Sequence, residues 1–130
     1  MSKILVVDDF ALARESVAKL LEYEGFTALR AKDGREGLAM VNNAAPDLVL
    51  LDLVMPGMDG VGLLKALRRD PQWKDLPVIV LTGATDDEKL ISRAWELKVQ
   101  DLIPKASFGF DDLLARVKQH LPQMAESRGA

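Results

Sequence analysis

Carboxylates, a hydroxyl and a lysine stand where the apolar runs of this chain stop. The run "KILVVDD" ends on Asp8 and Asp9, "DLVLLD" on Asp52 and "PVIVLT" on Thr82, while Lys105 follows "LIP". Runs that apolar read as strands covered on both faces of a sheet, where an Asp is almost never buried without a partner. Were Asp8, Asp9 and Asp52 to converge they would repel, because two unit charges about 4 Å apart interact by roughly 4 kcal/mol at an effective dielectric of about 20. A cation would relieve them. The sequence has no cysteine and one histidine, His120, so a metal here must sit on oxygen. Mg²⁺ fits such a site, since it keeps several waters and takes only one or two carboxylates. With a metal and Lys105 holding it ionised, Asp52 is a nucleophile toward phosphorus, and attack on a phosphoryl group gives an aspartyl phosphate. Mg²⁺, the Lys105 ammonium, the Thr82 hydroxyl and loop amides can support the transferred oxygens.

Positioning those groups requires a sheet. Short apolar runs alternate with longer amphipathic stretches throughout, the pattern of βα units around a parallel sheet, so the expected class is α/β, doubly wound. Five strands are predicted, over 3–8, 26–31, 47–52, 77–82 and 99–104. The first, third and fourth are apolar throughout and belong in the centre; the second and fifth mix in polar residues, as edge strands do. The first helix is predicted over 11–24 and the last over 111–121. Asp33 with Glu36, and Thr85 with Glu88, have the spacing of helix-start caps. Right-handed crossovers bring all strand C-termini to one sheet edge. In a flavodoxin-like order of 2-1-3-4-5, strands 1 and 3 are neighbours, and Asp8, Asp9 and Asp52 share a pocket there.

Composition narrows the function classes. A chain of 130 residues, 48% hydrophobic and 28% charged, suits one globular domain. Seventeen basic against twenty acidic residues give a net charge of -3, which offers no basic footprint for nucleic acid, so none is expected as a direct partner. The opening "MSKILVVDD" is too short for a signal peptide or membrane helix, so no membrane insertion and a cytoplasmic location are expected. No repeat, linker or output module is legible. The expected domain spans 1–122, followed by a frayed tail over 123–130.

The motifs "VVDD", "LLDLVMPGMDG", "VIVLTG" and "LIPK", in this order and spacing, closely resemble receiver domains of bacterial two-component response regulators over essentially the whole chain. The resemblance implies a phosphorylation-dependent switch that catalyses only its own phosphoryl transfer and dephosphorylation. Asp52 would be the phosphoacceptor, Asp9 a direct Mg²⁺ ligand, Asp8 an acid holding the metal through water, and the Val54 backbone carbonyl a further ligand. Thr82 would turn toward the phosphoryl group and Lys105 would pair with it. A histidine kinase or histidine phosphotransfer protein would be the donor. A downstream protein would read the surface of the fourth helix, fifth strand and fifth helix.

Several residues depart from the family pattern. Leu102 replaces the aromatic three residues before the lysine, and Ala106 replaces the Pro after it, often cis in the family, a conformation rare at other residues. Val54 and Ala84 occupy the positions that tune loss of the phosphoryl group, and neither can orient a hydrolytic water, so slow dephosphorylation is expected.

Plainer readings stand beside these. Asp8 and Asp9 could cap the first helix, Thr82 before Gly83 could be turn chemistry, and Lys105 could be a solvated lysine. Trp73 and Trp95 read as packing residues, with partner anchoring an alternative for Trp95. His120 reads as a surface residue near a helix C-terminus, and Arg68 with Arg69 as a solvated helix end. A phosphohydrolase of the haloacid dehalogenase type also uses an Asp nucleophile, but its second acid two residues on is absent here, where Val54 follows Asp52 and Phe10 follows Asp8. A pseudo-receiver acting only as a protein-binding module is the alternative.

Overall fold

Strand residues alternate between two apolar layers. Leu5, Val7, Val49 and Leu51 enter one core, and Ile4, Val6, Leu48 and Leu50 the other, every one of them nearly or wholly excluded from solvent. That two-sided burial is why these runs carry no polar residue until they end. The computed structural model describes residues 2–106 and 108–122. In chain order the elements are β1 (Lys3–Val7), α1 (Ala11–Tyr23), β2 (Thr27–Ala31), α2 (Gly34–Ala44), β3 (Leu48–Leu51), α3 (Gly60–Arg69), β4 (Val78–Thr82), α4 (Glu88–Glu96), β5 (Asp101–Pro104) and α5 (Phe110–His120). All strand pairs are parallel, in the order β2-β1-β3-β4-β5. Helices α2, α3 and α4 cover one face; α1 and α5 cover the other.

The predicted class, strand order and edge strands therefore hold, with element ends moved by one or two residues. The expected frayed tail, 123–130, lies outside the described residues.

Four local readings are corrected. The α4 cap is Asp87, whose Oδ1 accepts from the Leu90 amide at 3.1 Å, and Thr85 lies in the preceding loop. Asp87 directly precedes the first helical residue, where a short carboxylate reaches the orphan amide. At α2 the Asp33 cap stands, accepting from the Glu36 amide at 2.8 Å, but Glu36 returns to the Lys32 amide rather than to that of Asp33. Arg68 is not a solvated helix end. Its guanidinium is half-buried and donates to five main-chain carbonyls, those of Leu97, Leu76, Lys98, Lys74 and Trp73, at 2.8 to 3.4 Å. It ties the end of α3 to the loops before β4 and β5. Burial lowers its pKa, partly offset by the charge of Asp75. Trp73 packs as expected, buried, with its indole N–H donating to Asn42 Oδ1 at 3.0 Å. His120 is half-buried rather than on the open surface, its Nε2 3.5 Å from Asp101 Oδ2.

Candidate functional site

The pairing of β1 with β3 runs from Ile4 opposite Leu48 to Val7 opposite Leu51, so the two strands end level with each other. Asp8 and Asp52 are the residues immediately after these strands. The Asp52 amide donates to the Val7 carbonyl at 3.0 Å, and the Asp8 amide to that of Ala31 at 3.1 Å, which fixes both backbones at the sheet edge. Carboxylate oxygens of Asp8, Asp9 and Asp52 all lie within 4.8 Å of one another. Asp8 and Asp52 are buried, at 5% and 7% exposure, whereas Asp9 is exposed at the rim.

The first two acids do not cap α1. Asp8 Oδ1 accepts from the Phe10 amide at 3.0 Å, closing a turn, and the α1 N-cap, Phe10, supplies no side-chain acceptor. Arg14, one turn into α1, donates to the Asp8 carbonyl at 3.0 Å. That contact had no signal in the sequence, since a lone Arg on a helix is ordinary.

Across the cleft, the Lys105 ammonium lies 2.7 Å from Asp8 Oδ2 and 3.2 Å from Asp52 Oδ2. Burial works against its charge, but the hydrogen bonds and charges of Asp8 and Asp52 outweigh that, and its pKa is raised. Lys105 is thus no solvated lysine. Its backbone is held by its own N–H, which donates to the Thr82 carbonyl at 2.9 Å.

Thr82 is wholly buried, and its Oγ1 accepts from the Ala84 amide at 3.1 Å. The turn reading therefore describes its hydroxyl as it stands, and no hydrogen bond joins that hydroxyl to Asp52 among the described residues. Leu102, level with Val80 in the sheet, packs against the core on the α3 and α4 side, where an aliphatic side chain fills the space.

The loop from Leu53 to Asp59 walls the cleft on the α3 side. The Val54 amide approaches Asp52 Oδ1 at 3.4 Å, while the Val54 side chain is 56% exposed beside it. Gly60 seats this loop. A Cβ there would strike the Asp52 carbonyl oxygen and lie 2.7 Å from Leu53 Cα, so only glycine lets the start of α3 approach the acid so closely. The donor set itself, three carboxylates of which two are buried beside a single ammonium, is hard oxygen chemistry that suits a divalent cation such as Mg²⁺.

The sequence over residues 4–118 matches the response regulator receiver domain family. The chain belongs to that family. Among curated relatives, the phosphate regulon transcriptional regulatory protein PhoB of Escherichia coli is 38% identical over 116 residues, covering 89% of this chain and 50% of PhoB. The response regulator MprA of Mycolicibacterium vanbaalenii is 35% identical over 128 residues, 98% of this chain and 54% of MprA. This receiver domain spans about half the length of the curated relatives it matches. Among solved structures, a CheY-like receiver domain protein from Methanospirillum hungatei superposes with a TM-score of 0.87 at 27% identity, covering 98% of both chains. The response regulator TrrA of Thermotoga maritima, solved in complex with Mg²⁺ and BeF, gives a TM-score of 0.80 at 34% identity, with 92% of this chain and 98% of TrrA covered. Receiver domains are signalling modules that take phosphate from histidine kinases and bind Mg²⁺ at an acidic site. No helix among the described residues is long and apolar enough to cross a membrane.

Proposed function

We propose that this receiver domain is a phosphorylation-dependent switch whose acceptor is Asp52. What carries the reading is the shared hold of Lys105 on Asp52 and Asp8, with the Asp9 carboxylate beside them. An Asp52 carboxylate oxygen forms the new bond to phosphorus; the bond from phosphorus to the donor atom breaks, and the donor leaves with the electron pair. Asp9, Asp52 and the Val54 carbonyl would hold Mg²⁺ directly, and Asp8 through water. Bound Mg²⁺ supplies charge neutralisation for the acids and the incoming phosphoryl oxygens. Lys105 pairs with Asp52 before transfer and with a phosphoryl oxygen after it. Thr82 turns its hydroxyl from the Ala84 amide to another of those oxygens.

The donor is a histidine kinase or a histidine phosphotransfer protein. The output surface is α4, β5 and α5, where Trp95 is 48% exposed and available to a downstream protein. The functional unit is residues 1–122, acting in the cytoplasm without direct contact to nucleic acid.

The deciding measurement is the intact mass after incubation with Mg²⁺ and acetyl phosphate. One added phosphoryl group, removed by hydroxylamine and absent from Asp52→Ala, is expected. Absence of labelling in the unmodified protein would favour a receiver that only binds partners, and turnover of free phosphomonoesters would favour a phosphohydrolase.

A further inference from the structure

Helices α3 and α4 present their cations to each other. Lys65 and Arg69 stand one turn apart on α3, Lys89 and Arg93 one turn apart on α4, and all four are exposed. Lys65, Arg69 and Arg93 line an open groove of about 400 Å³ together with Leu97 and Arg68, whose donors are already committed to carbonyls. An adjoining hollow of about 540 Å³ shares Lys65 and Arg93 and adds Lys89 over Val61 and Leu90. Surface cations are ordinarily answered by neighbouring acids, and of these four only Arg93 is. Among the described residues, the side chains of Lys65 and Lys89 make no salt bridge or hydrogen bond. Arg69 reaches only the Lys65 carbonyl, at 3.3 Å, and Arg93 meets Glu96 at a loose 3.8 Å. Asp59 and Asp87 also line that hollow, each with Oδ1 engaged in capping, the amides of Gly62 and Leu90 respectively.

We propose that this groove is a docking site for a short acidic segment of a partner protein, one that also carries an aliphatic residue. Charge complementarity selects the acidic segment, since its carboxylates would answer Lys65, Arg69 and Lys89, which meet no carboxylate, and the loosely paired Arg93. The half-covered floor of Val61, Leu90 and Leu97 selects the aliphatic residue. An extended polyanion such as duplex nucleic acid fits worse, because the chain as a whole carries a charge of -3 and would repel it beyond the groove. The surface adjoins the proposed output face, with α4 contributing to both.

The test is an NMR titration of the ¹⁵N-labelled full chain with a synthetic acetylated, amidated peptide of glutamates around one leucine. Shifts confined to α3 and α4 are expected, and affinity should fall by about tenfold as salt is raised from low to several times physiological strength. The double variant Lys65→Glu with Arg93→Glu, both positions exposed so that folding is kept and checked by circular dichroism, should lose the shifts. A peptide with glutamine for glutamate should not produce them. Shifts centred elsewhere, equal binding by the glutamine peptide, or binding kept in the double variant would overturn the proposal.

Discussion

The Lys105 ammonium lies closer to Asp8, at 2.7 Å, than to Asp52, at 3.2 Å. The lysine thus bridges the two buried acids, and removing it leaves both without a cation. In Lys105→Met, metal-free protein should lose about 2 kcal/mol of stability, measured by urea unfolding in chelator. Mg²⁺ should then stabilise the variant more than the parent, because it replaces a missing charge. Equal Mg²⁺ stabilisation of the two proteins would count against the bridge. The folded pKa of Lys105 is raised, so its contribution is fully present below 10.5 and is lost only as pH rises through the higher folded value. The difference between parent and variant should stay level from neutral pH to that limit.

The phosphorylated protein should be long-lived. Val54 is apolar and 56% exposed beside Asp52, and Ala84 offers no side-chain hydrogen bond, so nothing at either position aligns a water for attack. Followed by intact mass after removal of donor, the phospho-form should persist for minutes or longer in Mg²⁺ buffer. Val54→Asn should speed its loss about tenfold, less than the roughly 10²-fold minimum of a general base, because an amide orients water without taking its proton. Loss within seconds from the parent would refute the idea.

Gly60 should resist substitution. A methyl group there meets main-chain atoms of Asp52 and Leu53, which cannot rotate away, so Gly60→Ala should cost about 2 to 3 kcal/mol and slow labelling of Asp52. Gly109→Ala is the control, because nothing among the described residues lies within 4 Å of its added Cβ. Comparable unfolding midpoints for the two variants would show that the loop yields freely.

Neighbouring arginines at the end of α3 should behave differently. Arg68→Met leaves carbonyls from two loops without their donor and should cost about 3 kcal/mol. Arg69→Met, exposed, with one weak bond to the Lys65 carbonyl, should stay within about 0.5 kcal/mol of the parent. Paired denaturation curves decide this, and equal losses would mean that the carbonyl network carries little.

Residue order alone determined the architecture. Unbroken apolar runs must be covered on both faces, and their alternation with amphipathic stretches leaves few arrangements besides a parallel sheet with helices on either side. It also named Asp8, Asp9, Asp52 and Lys105 as one group, because acids that end buried strands must gather at the same edge. Tertiary structure decided what depends on distance across the chain. The cap of α4 went to Asp87 rather than Thr85 through the backbone path of the preceding loop. Arg68 was turned inward by carbonyls up to thirty residues away, which no local pattern encodes. Leu102 found an apolar wall where the family places an aromatic, and Lys105 settled between two acids. Local periodicity reports how much of each side chain must leave water, whereas the partner it meets there is set by segments remote in sequence, and only the folded chain brings those together.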